Sequence, residues 1–151
     1  MNIRRATEKD IETLILMRWE FTFEHQPEVN GDFEVFATEC RAFLEQAMRG
    51  ERWYIWVADI DGIVASHMYI QLIDKVPRPG RITYPFAYMT NVYTDPGYRS
   101  QGIGSQLLKA IQKWSEENKF EFIIVWPSDE GREFYARNGY RLCVDPMELH
   151  L

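Results

Sequence analysis

The sequence predicts a mixed α/β fold, a single domain over residues 1–151 in the order β-α-α-β-β-β-α-β-α-β. Three observations predict it. Apolar residues recur at helical spacing in two early segments and again after residue 102. Between them stand three β-rich runs, "RWYIWVADI", "IVASHMYIQLI" and "RITYPFAYMTNVYT". Glycine and proline turns divide these runs, with no linker and no internal repeat.

Residues 2–5 make a short first strand, and Thr7 and Asp10 in "TEKD" have the spacing of a capping-box variant. Ile11, Leu14, Ile15, Trp19 and Phe23 then trace a helix up to Pro27. A second helix fits 32–49, with Phe33, Phe36, Cys40, Phe43, Leu44 and Ala47 on one stripe and Gly50 at its end. Asp61-Gly62 joins the next two strands as a hairpin signal. "DKVPRPGR" is a loop, and Pro85 marks either a bulge or a start later than Arg81 in the strand 81–94. Ile103, Leu107, Leu108, Ile111 and Trp114 form the third helical stripe. "FEFIIVW" reads as a buried strand, Ser128 as the cap of a short helix through Asn138, Gly139 as its C′ residue, and "YRLCVD" as a final strand.

Composition narrows the function. An apolar share of 46% is that of a globular protein, and the aromatic share of 15% is high enough to line a pocket as well as fill a core. A net charge of −6 argues against a nucleic-acid partner and leaves cationic substrates favoured. Cys40 and Cys143 form no redox or metal spacing and read as buried thiols in a reducing compartment. "MNIRRATEKD" lacks a signal-peptide core and no run is long enough to span a membrane, so a cytoplasmic protein is expected. His25, His67 and His150 are isolated, and neither HExxH nor GxSxG occurs. No metal and no covalent nucleophile is therefore expected.

The stretch "TDPGYRSQGIGSQLL" places Gly102 and Gly104 at the start of a helix, where glycine costs about 1 kcal/mol relative to alanine. A tight structural turn is one reason. An anion site is another: the first N–H groups of a helix lack intrahelical partners and carry the positive end of its dipole, and Arg99 stands at the mouth. Gly102-Ile-Gly-Ser-Gln-Leu107 lacks the third glycine of a dinucleotide fingerprint. It also lacks the lysine of a P-loop, so NAD and ATP are disfavoured and the pyrophosphate of coenzyme A remains.

Arg99-Ser-Gln-Gly-Ile-Gly104 matches the (Q/R)-x-x-G-x-(G/A) motif of the GCN5-related N-acetyltransferases, and "VYTDPGY" before it also resembles theirs. "SDEGREFYARNGYR" resembles the family's A-x-x-F-Y-x-x-x-G-F segment, and the element order agrees along essentially the whole chain. The resemblance implies an acetyl-CoA-dependent transfer to a primary amine. It assigns the pyrophosphate to the main chain of Arg99, Ser100, Gln101, Gly102, Ile103, Gly104 and Ser105, and the pantetheine arm to the strand edge at Val92, Tyr93 and Thr94. Tyr135 falls on the family's tyrosine near the thioester sulfur and is the candidate general acid. Ser128 stands where many relatives carry an asparagine.

The base is not marked. Residues 86–94 hold no carboxylate, and Glu20, Glu24, His67, Asp74 or a water relay at Thr90 and Asn91 are the alternatives. Trp19, Phe23, Tyr69 and Tyr88 are candidates for an acceptor pocket or for the core. The acceptor, a small molecule, a peptide N-terminus or a lysine, stays open. A binding module that senses acyl-CoA without turnover is the rival, and a homodimer is a family expectation that no single residue marks.

Overall fold

A computed structural model describes all 151 residues. Five strands form one sheet in spatial order β1 (Asn2–Arg5), β2 (Trp53–Ile60), β3 (Ile63–Ile73), β4 (Phe86–Thr94) and β5 (Ile123–Val125). The first four are antiparallel in sequence, and β5 joins β4 in parallel. Helices α1 (Ile11–His25) and α2 (Phe33–Arg49) cover one face, where Leu14, Ile15 and Leu44 pack on Val57 and Tyr69. Helix α3 (Ile103–Glu117) covers the other, with Leu107, Leu108 and Ile111 against Met68, Ile70 and Met89. Short α4 (Arg132–Arg137) adds Tyr135 to that second core.

Local signals account for much of this. The Asp10 carboxylate accepts the Thr7 N–H at 2.7 Å, which is the capping-box contact ahead of α1. The same carboxylate is held by Arg4 at 2.8 and 3.0 Å, and Arg4 also reaches Asp59 at 2.8 Å, so β1, the entry to α1 and the β2–β3 hairpin share one cation. Asp61 and Gly62 take φ of 51° and 85°, the two positive values that a primed hairpin turn requires. Pro85 marks a later start, with β4 beginning at Phe86. The loop before it is tied down, because Lys75, Arg78 and Arg81 all pair with Glu121.

Four expectations are corrected. "YRLCVD" forms no strand: residues 140–151 have no regular structure and are mostly exposed. A strand needs a partner edge, and no backbone hydrogen bond holds these residues beyond Tyr140 N–H to the Tyr135 carbonyl. Ser128 does not cap α4, which begins at Arg132 after Gly131; its hydroxyl accepts the Gly131 N–H at 3.1 Å and closes the turn before the helix. Cys143 is exposed, while Cys40 is half-buried. The strand in "FEFIIVW" is confined to Ile123–Val125.

Candidate active site

The site begins with a divergence of strands. β4 and β5 pair at Ala87–Ile123, Tyr88–Ile124 and Met89–Val125, where β5 stops. β4 runs on to Thr94, leaving its edge from Thr90 to Thr94 without a β5 partner. A β-bulge opens the same stretch: Asn91 and Val92 together face Met68, and Asn91 takes the left-handed φ of 48°. Asparagine tolerates that region better than most residues. The bulge is fixed from two sides. His67 Nδ1 donates to the Asn91 carbonyl at 2.9 Å, and Arg18 donates to the Asn91 side-chain oxygen at 3.2 Å.

Between the diverging strands lies a cleft of about 620 Å³, reached by α1 on one side and the turn into α3 and α4 on the other. Val92, Tyr93, Thr94, Arg99, Gly104 and Tyr135 all line it. The Tyr93 ring packs on Phe21 at 5.2 Å, and burial, then the Glu24 charge, push its phenol up to about 12. Ser100, Gln101 and Gly102 form the exposed turn beside the cleft, whereas the Ile103 side chain belongs to the α3 core. The Ser105 hydroxyl accepts from Asn138 at 3.3 Å.

The turn itself is a run of unpaired donors. Ser100, Gln101, Gly102, Ile103, Gly104 and Ser105 have no acceptor in the protein for their N–H groups, and the first α-helical bond comes from Gln106 N–H to the Gly102 carbonyl at 3.1 Å. Ser100 and Gly102 sit at φ of 60° and 76°, a pattern that turns successive N–H groups into a concavity for an anion. The two glycines differ in kind. Gly102 needs its left-handed conformation. Gly104 does not, and a Cβ there would meet only ordinary contacts, Phe134 at 3.5 Å and Thr94 Oγ1 at 3.6 Å.

Arg99 is not a free cation. Its guanidinium grips Glu24 on α1 at 2.5 and 2.9 Å and its Nε donates to the Thr94 carbonyl at 2.9 Å. That contact holds the Glu24 carboxyl below its usual range. Tyr135 is buried, and its hydroxyl bonds no protein group. Burial, then Tyr140, raises its pKa, so the phenol keeps its proton at neutral pH.

Among the four single-residue base candidates, only Glu24 reaches the cleft. Glu20 is exposed outside it, and Asp74 pairs with Arg52 at 2.9 Å. His67 is fully buried beneath the bulge, and burial lowers it to about 4. Thr90 and Asn91 do line the cleft. Of the four aromatic candidates, Tyr88 alone does so, edge-on to Trp126 at 5.0 Å. Trp19 and Phe23 pack with tilted rings 4.5 Å apart, Trp19 against Phe33 and Phe36 of α2, and Tyr69 is core. Sequence reasoning missed Arg18, Glu130 and Trp126 as cleft residues. Arg18 carried a detectable signal, a cation on the helical face next to the apolar stripe.

No three His, Cys, Asp or Glu side chains gather as a metal site, and no helix is long and apolar enough to cross a membrane.

Known structures share this architecture. A protein described as a predicted acetyltransferase with acetyl-CoA, from Clostridium acetobutylicum, superposes with a TM-score of 0.81 at 23% identity, covering 99% of this chain and 95% of that one. A GCN5-related N-acetyltransferase from Ralstonia eutropha JMP134 gives 0.78 at 21% identity over 99% and 97%. Glucosamine-6-phosphate N-acetyltransferase from Arabidopsis thaliana gives 0.74 at 19% over 99% and 97%. At such identities the likeness is one of fold. No curated protein matches the sequence. The model of the acetyltransferase (GNAT) domain matches residues 51–142, more than half of the chain, and spans both the glycine turn and the Phe134-Tyr135 segment. The chain belongs to the GNAT acetyltransferase family.

Proposed function

We propose that this protein is an acetyl-CoA-dependent N-acetyltransferase that transfers the acetyl group directly to a primary amine. One observation carries the reading: Gly104 lies in a helix, free of any conformational or packing need for glycine, within a run of N–H groups from Ser100 to Ser105 that have no protein acceptor. A side chain at that position would stand over those donors. A pyrophosphate is the ligand that such a cradle suits.

Bound acetyl-CoA supplies a thioester carbon open to attack by an amine. The main chain from Ser100 to Ser105 holds the phosphates, the Arg99 N–H being taken by the Pro96 carbonyl, and the free edge of Val92, Tyr93 and Thr94 holds the amide-bearing arm. Tyr135, protonated at neutral pH, donates to the departing thiolate. The amine needs a route for its proton, since a lysine-like amine has a pKa of about 10.4. Water along Thr90 and Asn91 provides it, because Glu24 is committed to Arg99. Arg18 adds a preference. It lines the cleft with a neutral amide as its hydrogen-bond partner, so acceptors carrying a carboxylate or phosphate near the amine are favoured.

The commitment of Glu24 to Arg99 favours a second reading, an acyl-CoA sensor of this fold that transfers nothing. Thiol release from acetyl-CoA, followed across amines with and without an anionic group, separates the two. Turnover with an anionic amine, lost in Arg18→Ala, supports the transferase. Acetyl-CoA binding with no release from any amine class supports the sensor.

A further inference from the structure

Strands β4 and β5 carry an aromatic face that neither core uses. Ala87, Met89, Ile123 and Val125 belong to the core on the α3 side. Alternation along a strand turns Phe86, Tyr88, Phe122, Ile124 and Trp126 the other way, and none of these five joins either core. Helices α1 and α2 pack instead over Val57 of β2 and Tyr69 of β3. Phe122 is therefore 47% exposed and Trp126 56%. The Phe86 and Phe122 rings stack at 4.7 Å, and Tyr88 meets Trp126 edge-on at 5.0 Å, which makes the face an aromatic track two pairs long. One end of the track is the cleft, which Tyr88 and Trp126 line.

The other end is a cluster of cations. Lys75, Arg78 and Arg81 converge on the single carboxylate of Glu121, the two arginines at 3.1 and 3.2 Å. Three positive charges against one negative leave an excess of two, in a protein whose net charge is −6. Asp74, the acid that precedes this loop, is taken by Arg52 at 2.9 Å. One cation is enough to tie the loop to Glu121, and both arginine side chains stay half-exposed. Lys75 Nζ stands 5.8 Å from the Phe122 ring centroid, so the cluster adjoins the track.

We propose that Lys75, Arg78 and Arg81 form a recognition subsite for an acidic residue of a polypeptide acceptor, whose chain lies along the aromatic track with its amine in the cleft. The Glu121 N–H bonds the Pro85 carbonyl at 3.0 Å, which sets the cluster beside the residue five positions before Thr90. At about 3.4 Å per residue that is about 17 Å of strand. A small amine does not bridge this distance, whereas an extended peptide covers it in about five residues. Alternate side chains of such a peptide share one face. Counted from an N-terminal amine, the second faces Arg18, the fourth the aromatic track and the sixth the cluster. The exposed rings accept an apolar side chain, and the arginines, in charge excess, accept a carboxylate. The placement of the amine rests on the acetyltransferase reading; the preference for acid rests on the charge of the cluster and stands apart from it.

A short peptide with a free α-amine, aspartate second, phenylalanine fourth and glutamate sixth tests this against the same peptide with lysine sixth. Thiol release from acetyl-CoA is expected to give a KM roughly tenfold lower for the glutamate peptide at low salt, with equal kcat. In the Arg78→Ala, Arg81→Ala double variant Lys75 still holds Glu121, so the loop stays tied. There the KM difference is expected to vanish, while a small anionic amine turns over as before. Fluorescence anisotropy of the two peptides, labelled at the C-terminus, reads the cluster without any transfer. Preferential binding of the glutamate peptide, abolished in the double variant, supports the subsite even where no amine is acetylated, a result that would sink the transferase reading alone. Equal binding of the two peptides, equal KM where transfer occurs, or a preference that survives the double variant each overturns the proposal.

Discussion

The Arg99 guanidinium, in the turn that enters α3, holds the Glu24 carboxylate of α1 in a two-pronged ion pair at 2.5 and 2.9 Å. This pair bridges the two sides of the cleft and neutralises the one arginine that the turn contributes. Glu24→Gln frees that charge for a phosphate. Acetyl-CoA is expected to bind roughly threefold more tightly at low salt, and the gain to vanish at high salt, as an exposed pair is worth about 0.2–1 kcal/mol. Calorimetric titration at two ionic strengths checks it. Equal affinity in both proteins places the phosphates away from Arg99.

The two glycines of the turn give opposite expectations. Gly102→Ala forces alanine into the left-handed region and destabilises by about 1–2 kcal/mol. Gly104→Ala meets only ordinary contacts with Phe134 and Thr94 and replaces a helical glycine, so stability holds or rises by up to about 1 kcal/mol. Its acetyl-CoA affinity nevertheless falls, by roughly tenfold or more if one or two donors are screened from the phosphates. Urea unfolding and ligand titration on the same samples separate fold from cradle.

Tyr135→Phe removes a hydroxyl that bonds nothing in the protein, so melting shifts little, within about 0.5 kcal/mol. Turnover falls by about a hundredfold, the lower range for a positioned acid, with acetyl-CoA binding unchanged. A variant as fast as the wild type removes Tyr135 from the mechanism.

His67 sets a pH dependence of stability. Burial, then the Arg18 charge, holds it down at about 4, while the unfolded chain takes up a proton near pH 6.5. Between those values the unfolded state binds more protons, so stability falls as pH drops from about 6.5 to 4, by about 1.4 kcal/mol per unit. Asp10 and Asp59, held below the usual carboxylate range by Arg4, lose their contribution only at lower pH. His67→Gln is expected to flatten the upper window in urea titrations run at several pH values. An unchanged slope assigns it to other groups.

How much of this was legible in the sequence follows from the range of each interaction. The Thr7–Asp10 box, the Asp61-Gly62 turn and the α3 stripe are local, and all three stand where the sequence places them. The glycine turn was legible as a donor-rich helix start for the same reason. Arg99 was misread as a free charge because its partner lies 75 residues away on another element. The Asn91 bulge left no mark beyond an asparagine, since its cause is the register of β4 against β3. "YRLCVD" has a strand's alternation, but no backbone hydrogen bond joins it to the sheet, and pairing is what makes a strand.

The run of N–H groups from Ser100 to Ser105 is proposed to hold the pyrophosphate of coenzyme A. A thermal melt with acetyl-CoA, beside NADH and ATP, tests this most directly. At a hundred times its dissociation constant the ligand adds about 2.7 kcal/mol, which for a chain of this size raises the midpoint by roughly 5–10 °C. A rise with acetyl-CoA alone, absent in Gly104→Ala, is the predicted result. No rise at millimolar acetyl-CoA, or an equal rise with all three ligands, contradicts it.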